Sequence, residues 1–463
     1  MTPLLFLLLT GLSAISATKY TADWPSLDSR PLPSWYDNAK FGIFCHWGVY
    51  SVPAFRSEWF WWYWQGPQPD PAVVEFVNRT FAPGTTAERF DAKQFAGVIQ
   101  SSGAKYFVLT SKHHEGFTLW PSPTAWQWNA VEVGPKRDLV GELKSALAGT
   151  GVEFGLYFSL FEWFHPYYNN DIARYVNEVS YPQLLEIVNK YQPSVIWSDG
   201  EWGQTDEIWK SKEFLTWLYN DSPIKDKVVV NDRWGKDCMG KHGGFLTYSD
   251  HYDPGKLLER KWENCMTLDE RSLDVHTVHS LIEQLARTVS CGGNLLLNVG
   301  PDQHGRIPPI FEDRLREIGA FLKPNEAALY GTTAAPVQND TGNTWYTKKK
   351  TEAGTTLYAW ILDTIMDSLI LSKVKAGDQT KVWILAAPKE KIEWSRNKDS
   401  SITLNLATIP WRKLPRSDVV IVAIQNPGKQ DKFNSWLARY SWRKDYAEWA
   451  SALQQHPRPE TMK

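Results

Sequence analysis

A chain of 463 residues is longer than one ordinary domain needs, so two domains are the default expectation. With 50 Lys and Arg against 52 Asp and Glu, the formal charge of −2 gives no field to draw in nucleic acid or an acidic membrane surface. Tryptophan stands out at 25 residues, and it clusters, most densely in Trp59-Phe60-Trp61-Trp62-Tyr63-Trp64; that much ring surface in one place suits a groove as well as a core.

The chain opens on a short apolar run, Leu4 to Leu12, followed by small residues through Ala17. The run is too short to span a bilayer, and residues 1–17 read as a secretory signal peptide, although no Lys or Arg precedes it. No later stretch reaches the length of a membrane span, so the mature protein is expected to be soluble and to follow the secretory pathway, to the lysosome or outside the cell. Sequons at Asn78, Asn220 and Asn339 fit that route as glycosylation sites, with Pro223 weakening the second. Four widely spaced cysteines are too few for a disulfide framework and suit no zinc site. Cys45, after an apolar run, reads as a buried free thiol.

From 18 to 335, apolar strands alternate with amphipathic helices. Candidate strands lie at 41–45, 105–110, 153–158, 194–197, 227–230 and 294–299. Between them, Leu139, Leu143, Ala146 and Leu147 keep helical spacing, with Asp138 as N-cap and Gly149 as stop. Leu184, Leu185 and Val188 form a second such face, and Leu281, Leu285, Thr288 and Val289 a third. Repeated strand–helix units imply a parallel sheet, closed as a (β/α)8-like barrel or open and doubly wound.

The residues after each strand favour the barrel. His46 follows the first, Lys112-His113-His114-Glu115 the second, Asp199 the fourth, and Asn231-Asp232-Arg233 the fifth, while Asn298 closes the last. In a barrel those strand ends converge on one mouth. No glycine-rich phosphate loop follows any strand, so no nucleotide cofactor is expected. The fourth strand is the most informative. Pro193-Ser194-Val195-Ile196-Trp197 delivers Asp199 to its tip beside Trp197, Gly200 and Trp202. A carboxylate against flat rings suits sugar cleavage, since the rings take pyranose C–H faces; the plainer alternative is an aspartate capping a turn. Glu201, two residues on, is the obvious second carboxylate. Three histidines at strand tips allow a zinc site, hydrogen bonds to vicinal hydroxyls, or structural roles. Against metal, no H-x-H pair is present, and adjacent His113 and His114 on a strand would point to opposite faces.

After about residue 336 the pattern changes to period-2 alternation at 355–362, 367–373, 380–386, 402–407 and 418–425, which reads as a small antiparallel β-sandwich over 336–427. Residues 428–463 carry Phe433, Trp436, Leu437 and Tyr440 at helical spacing and read as a helical tail of unassigned role.

In order along the chain, Lys40-Phe-Gly-Ile-Phe-Cys-His-Trp-Gly48, Ser57-Glu-Trp-Phe-Trp-Trp62, Lys112-His-His-Glu-Gly-Phe117, Trp197-Ser-Asp-Gly-Glu-Trp202, Val230-Asn-Asp-Arg-Trp-Gly235 and Gly292-Gly-Asn-Leu-Leu-Leu-Asn298 resemble the α-L-fucosidases of glycoside hydrolase family 29, in particular the animal lysosomal type. The resemblance runs from about 20 to 425. It implies a barrel followed by a β-sandwich, and retaining hydrolysis of terminal α-L-fucose from glycoproteins, glycolipids or oligosaccharides, without cofactor or metal. It assigns Asp199 as nucleophile, with His46, His113, His114, Tyr157 and Trp197 holding the fucose and Glu58 near them. The acid/base is left between Asp250 and Glu263, with Asp250 favoured and Glu58 a third candidate; Glu201 drops out. Cys265 lies in the same signature, and retaining hydrolysis asks nothing of its thiol. The chain departs from the family after Cys265, where a Trp-Gly-Tyr-type loop is replaced by Met266-Thr-Leu-Asp-Glu-Arg271, and it is shortened before Phe81 and after Pro166. A fucose-binding protein without turnover, and a metal-dependent barrel hydrolase, are the alternatives.

Overall fold

The computed structural model describes residues 19–428 apart from 81–86, 272–273, 353 and 365–366. The signal peptide and the helical tail expected beyond 428 lie outside the described residues.

Seven parallel strands form the first sheet: β1 (Phe41–Cys45), β2 (Tyr106–Lys112), β3 (Glu153–Ser159), β4 (Val195–Asp199), β5 (Val229–Val230), β6 (Glu263–Thr267) and, after a small hairpin of β7 (Asp269–Arg271) and β8 (Asp274–Val275), β9 (Asn294–Val299). Their order is β5-β4-β3-β2-β1-β9-β6. The two edges are joined by an irregular eighth stave. Gly244 and Phe245 donate backbone N–H groups to the Val230 carbonyl at 3.1 Å, Leu246 donates to Lys261, and Glu263 donates back to Leu246 at 2.9 Å. The sheet thereby curls into a (β/α)8-like barrel.

Both faces of the strands are buried, which is why β1, β2 and β4 read as apolar runs without alternation. The period of two is still present in what each residue touches. Ile43, Phe107, Leu156 and Ile196 pack outward under the helices, while Phe44, Val108, Tyr157, Val195 and Trp197 fill the barrel interior. Asp199 continues the inward series Val195–Trp197 at the end of β4, so register alone aims its carboxyl at the barrel mouth.

The outer helices follow their caps. Helix Leu139–Leu147 starts where the Asp138 carboxylate accepts from the Gly141 N–H at 2.9 Å, and the Tyr191 hydroxyl of helix Tyr181–Tyr191 donates to the same carboxylate. Helix Val278–Ser290 carries the third apolar face, with Leu281, Leu285 and Val289 inward.

Strand β6 escaped the sequence reading. Glu-Asn-Cys-Met-Thr contains no apolar run, because its interior positions hold Glu263 and Cys265 rather than aliphatic side chains.

The second, antiparallel sheet comprises β10 (Thr333–Asp340), β11 (Thr344–Thr351), β12 (Gly354–Ile361), β13 (Ser368–Ile384), β14 (Glu393–Arg396), β15 (Ser401–Asn405) and β16 (Val420–Pro427). The 17-residue β13 pairs first with β15 and then, past a register shift, with β16. One strand thus turns the corner between two layers, and the layers enclose their own core of Leu357, Ala359, Leu371, Ile402 and Val422. The opposite face of the larger layer, Trp345, Trp360 and Ile421, packs into the barrel core. Among the described residues no helix is long and apolar enough to cross a membrane.

Candidate active site

A cavity of about 260 Å³ opens at the C-terminal ends of the barrel strands. Its walls bring together, from segments more than two hundred residues apart, His46, Glu58, His113, His114, Tyr157, Trp197, Asp199, Asp250 and Cys265. Of the sequence candidates for catalysis and substrate binding, only Glu263 lies outside this lining.

Asp199 sits at the centre, 9% exposed. The Tyr157 hydroxyl donates to its Oδ2 at 2.8 Å and Arg233 Nη1 to its Oδ1 at 3.1 Å, with His114 Nε2 at 3.7 Å from Oδ2. Burial and the neighbouring Asp199 charge push the Tyr157 phenol well above its ordinary value, so it stays a donor. Gly200 follows with φ of 76°, and a Cβ there would press on the Phe161 ring at 3.0 Å; the chain turns away from the strand in a conformation that favours glycine.

Because β5 is only two residues long, side chains brace the tip of β4. Asn231 receives the Ser198 N–H at 3.0 Å and returns its amide to the Ser198 carbonyl at 2.8 Å, as a longer β5 backbone would. Asp232 is fully buried and accepts from Gly240, from the Thr247 N–H and from the Thr247 hydroxyl, pinning the eighth stave.

Arg233 is the functional residue that sequence reasoning missed. It stood in a motif at a strand tip but received no role. Its guanidinium lies 4.6 Å over the Trp197 ring, holds Asp199 with one terminal nitrogen and reaches Asp250 Oδ1 with the other at 2.5 Å. Burial opposes its charge, and the carboxylates of Asp250, Asp199 and Glu201 more than offset that cost. One guanidinium and two hydrogen bonds thus link the two pocket aspartates. Asp250 itself is open to solvent, its side chain 68% exposed.

Glu263 is placed differently. It is fully buried in the barrel interior, where Oε1 accepts from the Trp197 indole at 2.9 Å and Oε2 from Tyr36 at 2.6 Å and Tyr106 at 2.7 Å. Burial raises its pKa, and the hydrogen bonds from Tyr106, Tyr36 and Trp197 oppose the rise. Cys265 points its sulfur at Glu263 Oε1, 3.7 Å away, and burial holds its thiol protonated. All four cysteines are free and buried.

The expectation that His113 and His114 would face opposite ways does not hold. Strand β2 ends at Lys112, and the next residues turn, with Gly116 N–H on the His113 carbonyl and Gly116 at φ of 85°. Both imidazoles enter the pocket, ring centroids 4.2 Å apart. His46 Nδ1 is 2.8 Å from Asn298 Oδ1 and His114 Nδ1 is 2.7 Å from Ser159 Oγ. Burial first, then the neighbouring His113 and other cationic groups, hold His114 well below its usual value; burial and His113 also lower His46. Neutral rings with one nitrogen fixed present the other to hydroxyl groups. Among the described residues no group of three or more His, Cys, Asp or Glu is arranged to hold a metal ion.

The chain after Cys265 continues along β6, so that Met266 and Thr267, with His251, line one side of the pocket.

Glu201 lies just behind Asp199, 3% exposed, and one carboxyl oxygen has no partner. Burial raises its pKa to about 8, with the Asp199 charge adding to the rise and Arg233 opposing it. The folded value lies above the unfolded one, so the folded state keeps the proton longer. Stability is full below about 4.5 and is lost as pH climbs toward about 8. The melting temperature is expected to fall between about pH 5 and pH 8, and Glu201→Gln to flatten that fall in thermal melts. An unchanged slope would remove Glu201 as its cause.

Of the sequons, Asn78 is exposed on helix Pro71–Thr80. Asn220 is half-buried, and its amide exchanges two hydrogen bonds with the Tyr20 backbone at 2.8 Å. Asn339 lies in β10 and accepts from Lys373 Nζ at 3.0 Å.

A family model described as alpha-L-fucosidase matches residues 7–327. A putative alpha-L-fucosidase of Caenorhabditis elegans is 55% identical over 448 residues, covering 88% of this chain and 92% of its own. The plasma alpha-L-fucosidase of Rattus norvegicus is 48% identical over 440 residues, covering 89% of this chain and 95% of its own. Among solved structures, an alpha-fucosidase of Thermotoga maritima in complex with fucose superposes with a TM-score of 0.71 at 29% identity, over 88% of this chain and all of that one. A barrel mouth built around Asp199 and a match that spans the whole barrel agree: the chain belongs to the alpha-L-fucosidase family.

Proposed function

We propose that the protein is a retaining exo-α-L-fucosidase that removes terminal α-L-fucose from glycans. The observation that carries this reading is Asp199, aimed into a pocket of monosaccharide size and gripped by Tyr157 and Arg233. In the first step an Asp199 oxygen bonds to the anomeric carbon as the glycosidic C–O bond breaks, and Asp250, having taken a proton from the solvent it faces, gives that proton to the departing oxygen. In the second, water attacks the same carbon, Asp250 takes its proton, and the ester bond to Asp199 breaks. His46, His113 and His114 meet the sugar hydroxyls, and the Trp197 face takes a C–H surface. Glu58, on the pocket wall, bonds to a hydroxyl rather than to the reacting oxygen.

The route of the protein is through the secretory pathway, supported by the apolar N-terminal run, the sequons and relatives named as plasma and tissue enzymes. Asn78 is the sequon open to glycosylation; Asn220 would first have to give up its bonds to Tyr20.

The direct test is the stereochemistry of the first product. Proton NMR of the purified protein acting on an aryl α-L-fucoside should record α-L-fucose before the β anomer grows in by mutarotation. β-L-fucose appearing first would replace double displacement by single displacement.

A further inference from the structure

We propose that an aromatic row leading out of the pocket binds the saccharide to which the fucose is attached; this rests on the fucosidase reading above. The row begins in the tryptophan-rich segment. In helix Phe60–Gln65 the faces divide by helical spacing. Phe60, Trp61 and Trp64 turn into a small core with Tyr50 and Val73. Trp59 and Trp62, three residues apart, turn the other way, onto the indole of Trp163 at 4.9 and 5.1 Å.

That second face is continuous with the site. Trp59 lines the pocket and its ring lies 5.5 Å from His114, while Trp163 lies 5.1 Å from the same imidazole. Since His114 Nε2 is 3.7 Å from Asp199, the row starts within two side chains of the attacking carboxylate. Outward it continues from Trp163 to Phe164, centroids 6.3 Å apart, and Phe164 is 37% exposed. Trp62, on the other side of the row, is half-buried against Trp163.

All these rings stand on the segments that follow β1 and β3, Trp62 in helix Phe60–Gln65 and Trp163 and Phe164 in the loop after β3, beyond the strand ends where the pocket opens. A large aromatic left in water is unfavourable unless something covers it. A fucoside seated with its anomeric carbon at Asp199 must send its aglycone out through this mouth. Pyranose rings present apolar C–H faces that fit flat indoles, and their hydroxyls reach the solvent around them. A neutral oligosaccharide of one or two further rings therefore matches the row better than a charged or purely apolar group.

The test compares three substrates. α-L-Fucosyl fluoride has no aglycone, a fucosylated trisaccharide has a saccharide one, and an octyl α-L-fucoside has an apolar one. Trp62→Ala and Phe164→Ala are expected to lower kcat/KM on the trisaccharide about five- to tenfold, and to leave the fluoride and octyl fucoside within about twofold. Trp62→Phe, which keeps a ring, should recover most of the loss and shows that the fold is intact. Equal loss on all three substrates, loss on the octyl fucoside alone, or no loss on the trisaccharide would each overturn the subsite. If the unmutated protein fails to hydrolyse even the fluoride, the fucosidase reading itself falls, and the subsite with it.

Discussion

Replacing Asp199 by glycine is expected to lower kcat on an aryl α-L-fucoside by about 10⁴-fold or more, and azide to restore part of it as β-L-fucosyl azide. The aryl leaving group needs little acid assistance, so its rate isolates the nucleophile. Removing the carboxylate leaves room at the end of β4 for a small anion, and azide nitrogen then bonds to the anomeric carbon as the C–O bond breaks. Because attack comes from the face Asp199 used, the trapped product has inverted configuration. The fold should survive. Asp199 contributes no strand hydrogen bond through its side chain, and the tip of β4 is held by Asn231. Arg233 loses one carboxylate and keeps Asp250. Turnover within about a hundredfold of the unmutated protein would sink the assignment of Asp199, and so would a gain with azide that yields only fucose.

The parts of this site that stand out in the sequence by pattern alone share one physical property: they end strands that are buried on both faces. Such strands are continuous apolar runs, and the polar residue that ends each run stands out. Asp199 after Ile196-Trp197, His46 after Phe44-Cys45 and Asn298 after the leucines were visible for that reason. Where the barrel interior is polar, the signal disappears. Strand β6 carries Glu263 inward, the eighth stave is held by irregular bonds around Leu246, and neither has a period to detect. The orientation of His113 and His114 was unreadable for a related reason. The alternation of a strand does not extend past Lys112, where β2 ends and Gly116 begins to turn the chain. Arg233 was in view as part of Asn231-Asp232-Arg233, but its function depends on facing two aspartates at once, and only the closed barrel brings Asp199 and Asp250 to one guanidinium.

The same contrast favours Asp250 over Glu263 as the acid, with Glu58, the third candidate, on the pocket wall with Asp250 rather than sealed away. Asp250 lines the pocket, is open to water on one side and touches Arg233; Glu263 is sealed behind Trp197. A general acid must reach the departing oxygen and must reload from water, and of these two only Asp250 has both routes. Asp250→Ala is therefore expected to lower kcat by about 10³-fold on a fucosylated oligosaccharide, whose leaving alcohol needs a proton, and far less on an aryl fucoside. Azide should accelerate the variant where breakdown of the fucosyl-enzyme limits turnover, because azide attacks without giving up a proton. Glu263→Gln should behave otherwise. Its carboxylate accepts three donors from Trp197, Tyr36 and Tyr106, and an amide can accept at only one of its two ends. The hydrogen bonds must rearrange, and the Trp197 ring that floors the pocket loses its anchor. The expected result is a raised KM, of similar size for good and poor leaving groups, with no azide effect. Loss that grows with leaving-group pKa in Glu263→Gln, set against a uniform loss in Asp250→Ala, would exchange the two roles. It would also mean that the interior of the barrel opens during turnover, since Glu263 has no path to the glycosidic oxygen while Trp197 stays in place.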